Sequence, residues 1–166
     1  MIKLEDKNLV ALKEQYKNEL TDQVLPFWAE RSLDFEHGGY FSCLDAKGKV
    51  YDTDKFVWLQ ARQVYTFAKM YHEFKDTTFL TIAHHGASFL KRHAFDGNYD
   101  WYFSLDQRGN PLVQPYNIFA NTFGAMGLGY LGIVDDDQSL KAIAKKTFER
   151  VLQRKHDPKG KYNKQH

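Results

Sequence analysis

Arg62 and two repeated aspartates, Asp45 and Asp106, are the residues of this sequence whose types could do chemistry. A guanidinium can hold an oxygen that develops negative charge. Two carboxylates that flank a glycosidic bond can hydrolyse it. Each residue type also has a structural alternative. Spacing alone favours an ion pair of Arg62 with Asp52 or Asp54, and both repeated aspartates lie in the same Leu-Asp-x-x-Gly turn pattern, which favours a structural role.

The seven histidines do not form a metal-binding pattern. His84 and His85 are adjacent, so on a helix their side chains point to different sides. The others lack the i, i+4 pairing with a carboxylate that typifies zinc sites; they are His37, His72, His93, His156 and His166. The glycine-rich stretches lack the strand–loop–helix context of a phosphate site. We therefore expect no metal and no other cofactor.

Composition and charge are typical of a soluble globular protein. Hydrophobic residues make up 43% of the 166 residues, and the net charge of +2 is too small to indicate a nucleic-acid or membrane partner. The basic side chains of the last helical segment, Arg150 and Arg154 among them, are expected on a solvated face. Cys43 is the single cysteine, which excludes an internal disulfide. No segment has the pattern of a signal peptide or a membrane span, so we expect a cytoplasmic protein.

Apolar residues recur with helical periodicity in five segments, which predicts an all-α fold. The segments are Leu9–Val24, about Asp54–Phe74, a helix after Asp76, one after Pro115, and one that starts near Asp135–Asp137. Asp76 is a plausible N-cap. The fourth segment contains four glycines, which weaken an isolated helix but allow close packing against a neighbour.

Two aromatic-rich stretches with hairpin turns separate the helical segments. Residues 39–49 and 100–110 match each other at an offset of 61 residues, and each is followed by two helices. The matched pairs are Leu44 with Leu105, Asp45 with Asp106, and Gly48 with Gly109. A third copy of this unit is expected to open at residues 157–162. We therefore expect residues 1–166 to be the N-terminal part of a single domain, truncated at the start of its third repeat.

Three motifs resemble the N-terminal signature of the N-acylglucosamine 2-epimerase family. They are G-G-Y-F at residues 38–41, L-D at 44–45, and K-F-V-W-L-Q-A-R-Q at 55–63, and residues 113–119 (V-Q-P-Y-N-I-F) match as well. The resemblance spans roughly residues 5–165, and family members are more than twice as long as this chain. It implies an (α/α)6 toroid, a ring of six inner and six outer helices around a central pocket. This chain would form an incomplete arc of about five helices, with short hairpins between the helical pairs.

The resemblance also implies roles for individual residues. Arg62 matches the pocket arginine of the family, which reverses the preference for an ion pair. Tyr116 falls where related enzymes place a tyrosine that contacts substrate, although a buried core hydroxyl is an equal alternative. Trp58, Trp101 and Tyr40 could form walls on which a sugar stacks, although large aromatics at such positions more often serve packing.

The function implied by the resemblance is that of a sugar isomerase. Such an enzyme removes the proton on carbon 2 of N-acylglucosamine, or of a related aldose, and returns it to the opposite face through an enediolate intermediate. In the family two histidines of later helices transfer the proton. They have no counterpart here, so we expect the fragment itself to be inactive. The expected partner is a small-molecule sugar, and the family also allows a homodimer.

Two other functions remain open from the sequence. One is an (α/α)6 glycoside hydrolase, for which Asp45 and Asp106 are the candidate carboxylates. The other is a module without catalysis that binds a sugar or a protein, in which exposed inner helices would offer an apolar face to a partner.

Overall fold

The described part of the chain, residues 6–159 of a computed structural model, consists of helices separated by short β-hairpins. The helices are α1 (Asp6–Glu19), α2 (Leu25–Arg31), α3 (Val57–Phe74), α4 (Thr77–His93), α5 (Phe119–Val134) and α6 (Gln138–Arg154). The strands are β1 (Cys43–Leu44), β2 (Val50–Asp52), β3 (Lys55–Phe56), β4 (Ser104–Leu105) and β5 (Pro111–Val113). Within residues 6–159, no helix combines the length and the apolar character that a bilayer span requires.

The first predicted helix is longer than its apolar periodicity indicates. A π-helical turn over Leu20–Val24 joins α1 to α2, so that one nearly continuous helix extends to Arg31. The stripe that predicts this helix is largely exposed: Leu9 is 44% exposed and Tyr16 is 67% exposed. By contrast, Leu25 at the start of α2 is buried. The apolar side of α1 is therefore uncovered by the rest of residues 6–159.

The second predicted helix corresponds to α3, which begins at Val57, three residues later than the sequence predicts. Lys55 and Phe56 form strand β3 instead, which pairs antiparallel with β4 of the second hairpin. β4 in turn pairs with β5, so the three strands form one small sheet. This pairing of the two repeats is not visible in the periodicity, because two residues are too few to show an alternating pattern.

The internal repeat is confirmed by equivalent hydrogen bonds in the two units. In each Leu-Asp-x-x-Gly turn the glycine amide donates to the aspartate carbonyl, at 2.9 Å from Gly48 to Asp45 and at 3.1 Å from Gly109 to Asp106. Both glycines adopt positive φ angles, +82° and +93°, a region in which other residues are strained. Residues 160–162 of the third copy, predicted at residues 157–162, lie outside the described residues.

The core lies where α3, α4, α5 and α6 pack together. α3 contacts both α4 and α5, and α5 contacts α6. Gly127 of α5 lies against the backbone carbonyl of Ala61 in α3, at a position where a Cβ atom would overlap it. The glycines of the fourth predicted helix therefore permit close packing, as the sequence suggests. The predicted N-cap Asp76 is confirmed, since its carboxylate accepts the amide of Thr78 at 2.8 Å.

Two basic residues of α6, Arg150 and Arg154, do not lie on a solvated face, although the sequence predicts that they do. Arg150 and Arg154 both donate to the carboxylate of Asp100, which lies at the start of the second aromatic stretch. The three contacts measure 3.0 Å and 2.6 Å from Arg150 and 2.6 Å from Arg154. These ion pairs tie the last helix to the second hairpin.

Candidate functional site

Arg62 lies on α3, one turn beyond the start of the helix, and its side chain is exposed. The guanidinium carbon is 5.7 Å from the centre of the Trp58 ring and 5.5 Å from that of Phe123, so a cation–π contact holds it on each side. Within residues 6–159 the guanidinium makes no ion pair. The pairing with Asp52 or Asp54, favoured by spacing alone, is not formed: the Asp52 carboxylate accepts the Asp54 amide at 2.9 Å.

Arg62 is positioned by an aromatic cluster formed by Trp58, Phe119 and Phe123. The ring centres are 5.5 Å apart for Trp58 and Phe119, 4.9 Å for Phe119 and Phe123, and 6.0 Å for Trp58 and Phe123. The cluster joins the first turns of α3 and α5, and Phe119 is still 45% exposed. No side chain or carbonyl in the described part of the chain accepts a hydrogen bond from the Arg62 guanidinium. Beside exposed aromatic faces, such a group can bind a polar molecule that also has an apolar face.

Tyr116 lies in the segment that leads into α5, and it is half-buried. Its ring centre is 5.2 Å from that of Phe103, and the Phe103 ring centre is in turn 5.8 Å from that of Phe56, the strand residue directly before α3. The structure therefore places Tyr116 at the N-terminal ends of α3 and α5, the same end that carries Arg62 and Trp58.

The other two aromatic candidates, Tyr40 and Trp101, are packing residues in this structure. Both are 0% exposed. The Tyr40 hydroxyl donates to the carbonyl of Ile82 at 2.7 Å, and burial raises the pKa of Tyr40 far above its ordinary value. The Trp101 indole donates to the Thr147 hydroxyl at 3.1 Å. Neither ring has a free face on which a sugar could stack. The structure therefore favours the alternative that Tyr40 and Trp101 serve packing.

The carboxylates of the two aspartates that a hydrolase would need accept hydrogen bonds within their own turns. The Asp45 carboxylate accepts the amides of Lys47 and Lys49, each at 2.9 Å. The Asp106 carboxylate accepts the side-chain and backbone amides of Asn110, each at 2.8 Å, and these bonds hold the pKa of Asp106 below its ordinary value. A carboxyl with a lowered pKa is poorly suited to donate a proton. This geometry favours the structural role over catalysis.

Lys55 is a buried residue that sequence reasoning missed. Its ammonium group donates to the Asp34 carboxylate at 2.7 Å, to the Gly38 carbonyl at 2.6 Å and to the Gln107 carbonyl at 2.8 Å. Burial alone would raise the pKa of Asp34, but the bonds from Lys55 and from the His37 amide hold it below its ordinary value. The only signal in the sequence is the lysine directly before the apolar start of α3.

A cavity of about 320 Å³ opens beside Arg62, between the first helix and α3. Its walls are mainly apolar, and Leu25, Trp28 and Leu59 contribute to them. The site therefore combines an exposed cation with an apolar recess.

His84 and His85 lie away from Arg62 and make structural contacts. His84 pairs with Asp135 at 2.7 Å, and His85 donates to the Gly39 carbonyl at 2.9 Å. Both line a second, more polar cavity of about 400 Å³ together with Arg92. Across residues 6–159, no three His, Cys, Asp or Glu side chains come close enough to hold one metal ion.

Comparison with known proteins yields a consistent set of relatives. The family model described as N-acylglucosamine 2-epimerase (GlcNAc 2-epimerase) matches residues 39–166. The N-acylglucosamine 2-epimerase of Mus musculus is 34% identical over 162 residues, which cover 94% of this chain and 38% of that protein. The N-acylglucosamine 2-epimerase of Homo sapiens is 39% identical over 132 residues, which cover 76% of this chain and 31% of that protein.

A solved structure supports the same assignment at the level of the fold. The cellobiose 2-epimerase from Spirochaeta thermophila matches with a TM-score of 0.83 at 22% identity, over 92% of this chain and 38% of that chain. The predicted fold class is thus confirmed: residues 6–159 form an all-α, incomplete arc of the (α/α)6 toroid. If α1 and α2 are counted as one helix, the arc contains five helices.

The chain spans little more than a third of the mouse relative and less than a third of the human one. Within that span the matches run from the first hairpin through α6, and they include the segments that carry Arg62 and Tyr116. This chain belongs to the N-acylglucosamine 2-epimerase family.

Proposed function

We propose that this chain forms the arginine-bearing wall of a site that epimerises an N-acylglucosamine, or a close aldose, at carbon 2. The observation that carries the proposal is the exposed guanidinium of Arg62, which the aromatic cluster holds in place and which no carboxylate within residues 6–159 neutralises. The names of the mouse and human relatives support the choice of reaction.

The chemistry assigns Arg62 a role in stabilising charge. Removal of the proton next to the open-chain carbonyl places negative charge on the carbonyl oxygen, and a fixed guanidinium stabilises that charge. Trp58 offers a flat face to the sugar, and the Tyr116 hydroxyl orients one of its oxygens. In this proposal the two proton transfers belong to histidines outside residues 1–166, so that no metal or redox cofactor is needed.

The experiment uses the protein encoded by the entire reading frame that contains these residues. It is incubated in D₂O with N-acetylglucosamine, and NMR follows deuterium at carbon 2 and formation of the C2 epimer. We expect both signals in the wild type. Arg62→Ala should lower kcat/KM by about 10² or more, because it removes the stabiliser of the developing charge.

Charge-matched and conservative variants complete this test. Arg108 is an exposed arginine in the second hairpin, and Arg108→Ala should leave turnover unchanged. Arg62→Lys keeps the charge but loses the planar fork, so it should recover only part of the activity. Near-normal turnover of Arg62→Ala would remove this residue from the mechanism, and release of reducing sugar from an oligosaccharide would instead favour a glycoside hydrolase.

Two further features belong to the same proposal. A cytoplasmic location is supported by the single cysteine, since such a chain gains nothing from an oxidising compartment. A homodimer would be supported by exposed apolar residues on α5 and α6, such as Ile133 and Phe148. Sedimentation of the purified protein tests the second point, and cell fractionation tests the first.

A further inference from the structure

The cavity beside Arg62 has the amide side chain of Gln63 in its wall. The Ser32 hydroxyl donates to the Trp28 carbonyl at 2.6 Å, and a hydroxyl has a single hydrogen to donate. In the contact of 2.5 Å between Gln63 and Ser32, the amide nitrogen therefore donates and the Ser32 oxygen accepts. These two bonds fix the orientation of the amide, with its Oε1 atom turned away from Ser32.

The Oε1 atom of Gln63 is accessible to a ligand. Within residues 6–159 this oxygen accepts no hydrogen bond. Among the partly or fully buried side chains of that range, the unbonded polar atom that is shielded from solvent is the Ser42 hydroxyl oxygen, which a ligand in the cavity therefore cannot reach. Oε1 of Gln63 is not shielded in this way, so the cavity wall offers an unoccupied hydrogen-bond acceptor.

Thr66, one turn further along α3 than Arg62, supplies a second acceptor. Its hydroxyl donates to the Arg62 carbonyl at 3.0 Å, so its hydrogen is used within the helix and its oxygen is left to accept. Thr66 is exposed and lines the same cavity. The guanidinium of Arg62, by contrast, only donates. The polar part of the wall therefore combines one group of donors with two acceptor oxygens.

This combination determines which group of a ligand fits. A hydroxyl both donates and accepts, so it satisfies an acceptor oxygen and the guanidinium at the same time. A carbonyl or carboxylate has no hydrogen to donate, and it would leave the oxygens of Gln63 and Thr66 without a partner. The remaining walls, such as Leu59 and Trp28, are apolar and suit the C–H surface of a carbon chain that carries hydroxyls.

We infer, on the basis of the proposed function, that Gln63 and Thr66 are specificity-determining residues that accept the hydroxyl on carbon 3 of the sugar. In the proposed function Arg62 holds the carbonyl oxygen on carbon 1, and carbon 2 loses its proton. Carbon 3 carries the first hydroxyl beyond these two carbons. Gln63 is adjacent to Arg62 in the chain and Thr66 is one helical turn away, and the cavity of about 320 Å³ has room for this part of the sugar.

The test compares two ligands that differ only in this hydroxyl. The protein is the one encoded by the entire reading frame, and the probes are N-acetylglucosaminitol and its 3-deoxy counterpart. Both are open-chain molecules that cannot be epimerised, because carbon 1 is reduced. Their Kd values are measured by isothermal titration calorimetry. We expect the wild type to bind the parent alditol tenfold or more tightly than the 3-deoxy compound, because the deoxy compound leaves two acceptors unpaired.

Variants assign this preference to the two acceptors. Gln63→Met keeps the length of the side chain but removes the amide, and Thr66→Val keeps the shape but removes the hydroxyl. Each should weaken binding of the parent alditol roughly threefold to tenfold, about the value of one hydrogen bond, and leave binding of the 3-deoxy compound unchanged. A merely structural role would weaken both ligands by the same factor. Thermal unfolding shows whether each variant folds, and Thr66→Val serves if Gln63→Met, which also loses the bond to Ser32, does not.

Thr122 on α5 provides a matched control for Thr66. It is also exposed, and its hydroxyl donates within its own helix, to the Ile118 carbonyl at 2.9 Å. It does not line the cavity beside Arg62. Thr122→Val should therefore bind both alditols like the wild type.

Three results would overturn the inference. They are equal affinity of the folded wild type for the two alditols, no binding of either, and an equal loss for both ligands in the Gln63 and Thr66 variants. Deuterium incorporation at carbon 2 decides the proposed function separately. A protein that prefers the parent alditol but incorporates no deuterium retains the hydroxyl site and loses the assigned reaction. A protein that incorporates deuterium but binds both alditols equally retains the reaction and loses the specificity assigned to Gln63 and Thr66.

Discussion

The ammonium group of Lys55 lies 2.7 Å from the carboxylate of Asp34, and both side chains are almost completely buried. Each polar atom of the pair is satisfied. Lys55 uses its three hydrogens on Asp34, Gly38 and Gln107, and the second carboxylate oxygen of Asp34 accepts two backbone amides. The pair thereby joins the loop before the first hairpin, the strand before α3 and the second hairpin.

Removal of the cation from this pair should destabilise the protein strongly. Lys55→Met keeps most of the side-chain volume but leaves the Asp34 carboxylate buried without its counter-ion. We expect the free energy of unfolding in urea to fall by about 3–5 kcal/mol. Lys47→Met, at an exposed position in the first hairpin, is the control and should change it by less than about 0.5 kcal/mol. A loss below about 1 kcal/mol for Lys55→Met would contradict the structural role of the pair.

Stability should decrease in acid because Asp34 and Asp100 have pKa values below their ordinary range. For Asp100 burial raises the pKa, but the bonds from Arg150 and Arg154 more than compensate. Carboxyls of this kind stabilise the folded state above the unfolded pKa of about 3.9, and the contribution is lost as the pH falls through the lower folded pKa.

The measurement for this prediction is the free energy of unfolding at a series of pH values from neutral to strongly acidic. We expect a decline that begins near the ordinary aspartate pKa and continues below it. Asp34→Asn and Asp100→Asn should each reduce the steepness of the decline, because the group that takes up the proton on unfolding is gone. An unaltered slope in both variants would show that other carboxyls are responsible.

Gly127→Ala should separate α3 from α5. The added methyl group would overlap the carbonyl of Ala61, a backbone atom that cannot rotate away. We expect a loss of about 2 kcal/mol or more, since overpacking outweighs the gain of up to about 1 kcal/mol in helix propensity. Gly129→Ala on the same helix is the control, because its methyl group would meet only the Ala144 side chain at 3.3 Å. Equal melting temperatures of the two variants would contradict the close packing.

Asp100→Asn should loosen the end of α6. The variant keeps the shape of the side chain but weakens its bonds to Arg150 and Arg154, and hydrogen bonds to charged groups contribute about 1.5–3 kcal/mol. Amide hydrogen exchange should accelerate in the last turns of α6. Glu149→Gln, at an exposed position of the same helix, should leave exchange unchanged. If amide hydrogen exchange in α6 is unchanged from the wild type in both variants, apolar packing alone holds α6.

Much of this fold could be predicted from the sequence, because helices and turns leave local signals. Asp76 marks the start of α4, and Gly48 and Gly109 mark turns that need a positive φ angle. The pairing of β3 with β4 could not be predicted, since two residues carry no periodicity and their partners are about fifty residues away. The burial of Lys55 could not be predicted from the sequence for a similar reason, because all three acceptors of its ammonium group come from distant segments.

The candidate site was predicted less completely. The motif around Arg62 makes the arginine a candidate, but only the structure shows that Trp58 and Phe123 contact it and that Asp52 does not. Sequence spacing could not distinguish Trp58, which borders the exposed face, from Trp101, which lies in the core. Both are aromatic residues next to an apolar segment, and their difference depends on packing between elements.

The pairing of β3 with β4 means that the two repeats are interleaved. By sequence, Lys55 and Phe56 belong to the first unit, yet their backbone partners and one acceptor of the Lys55 ammonium belong to the second. Excision of the second unit would leave a bare strand edge and a buried cation short of one partner. Single units of this array are therefore poor candidates for autonomous modules, and shuffling them between proteins would require cuts inside a hairpin-to-helix junction, not between helical pairs.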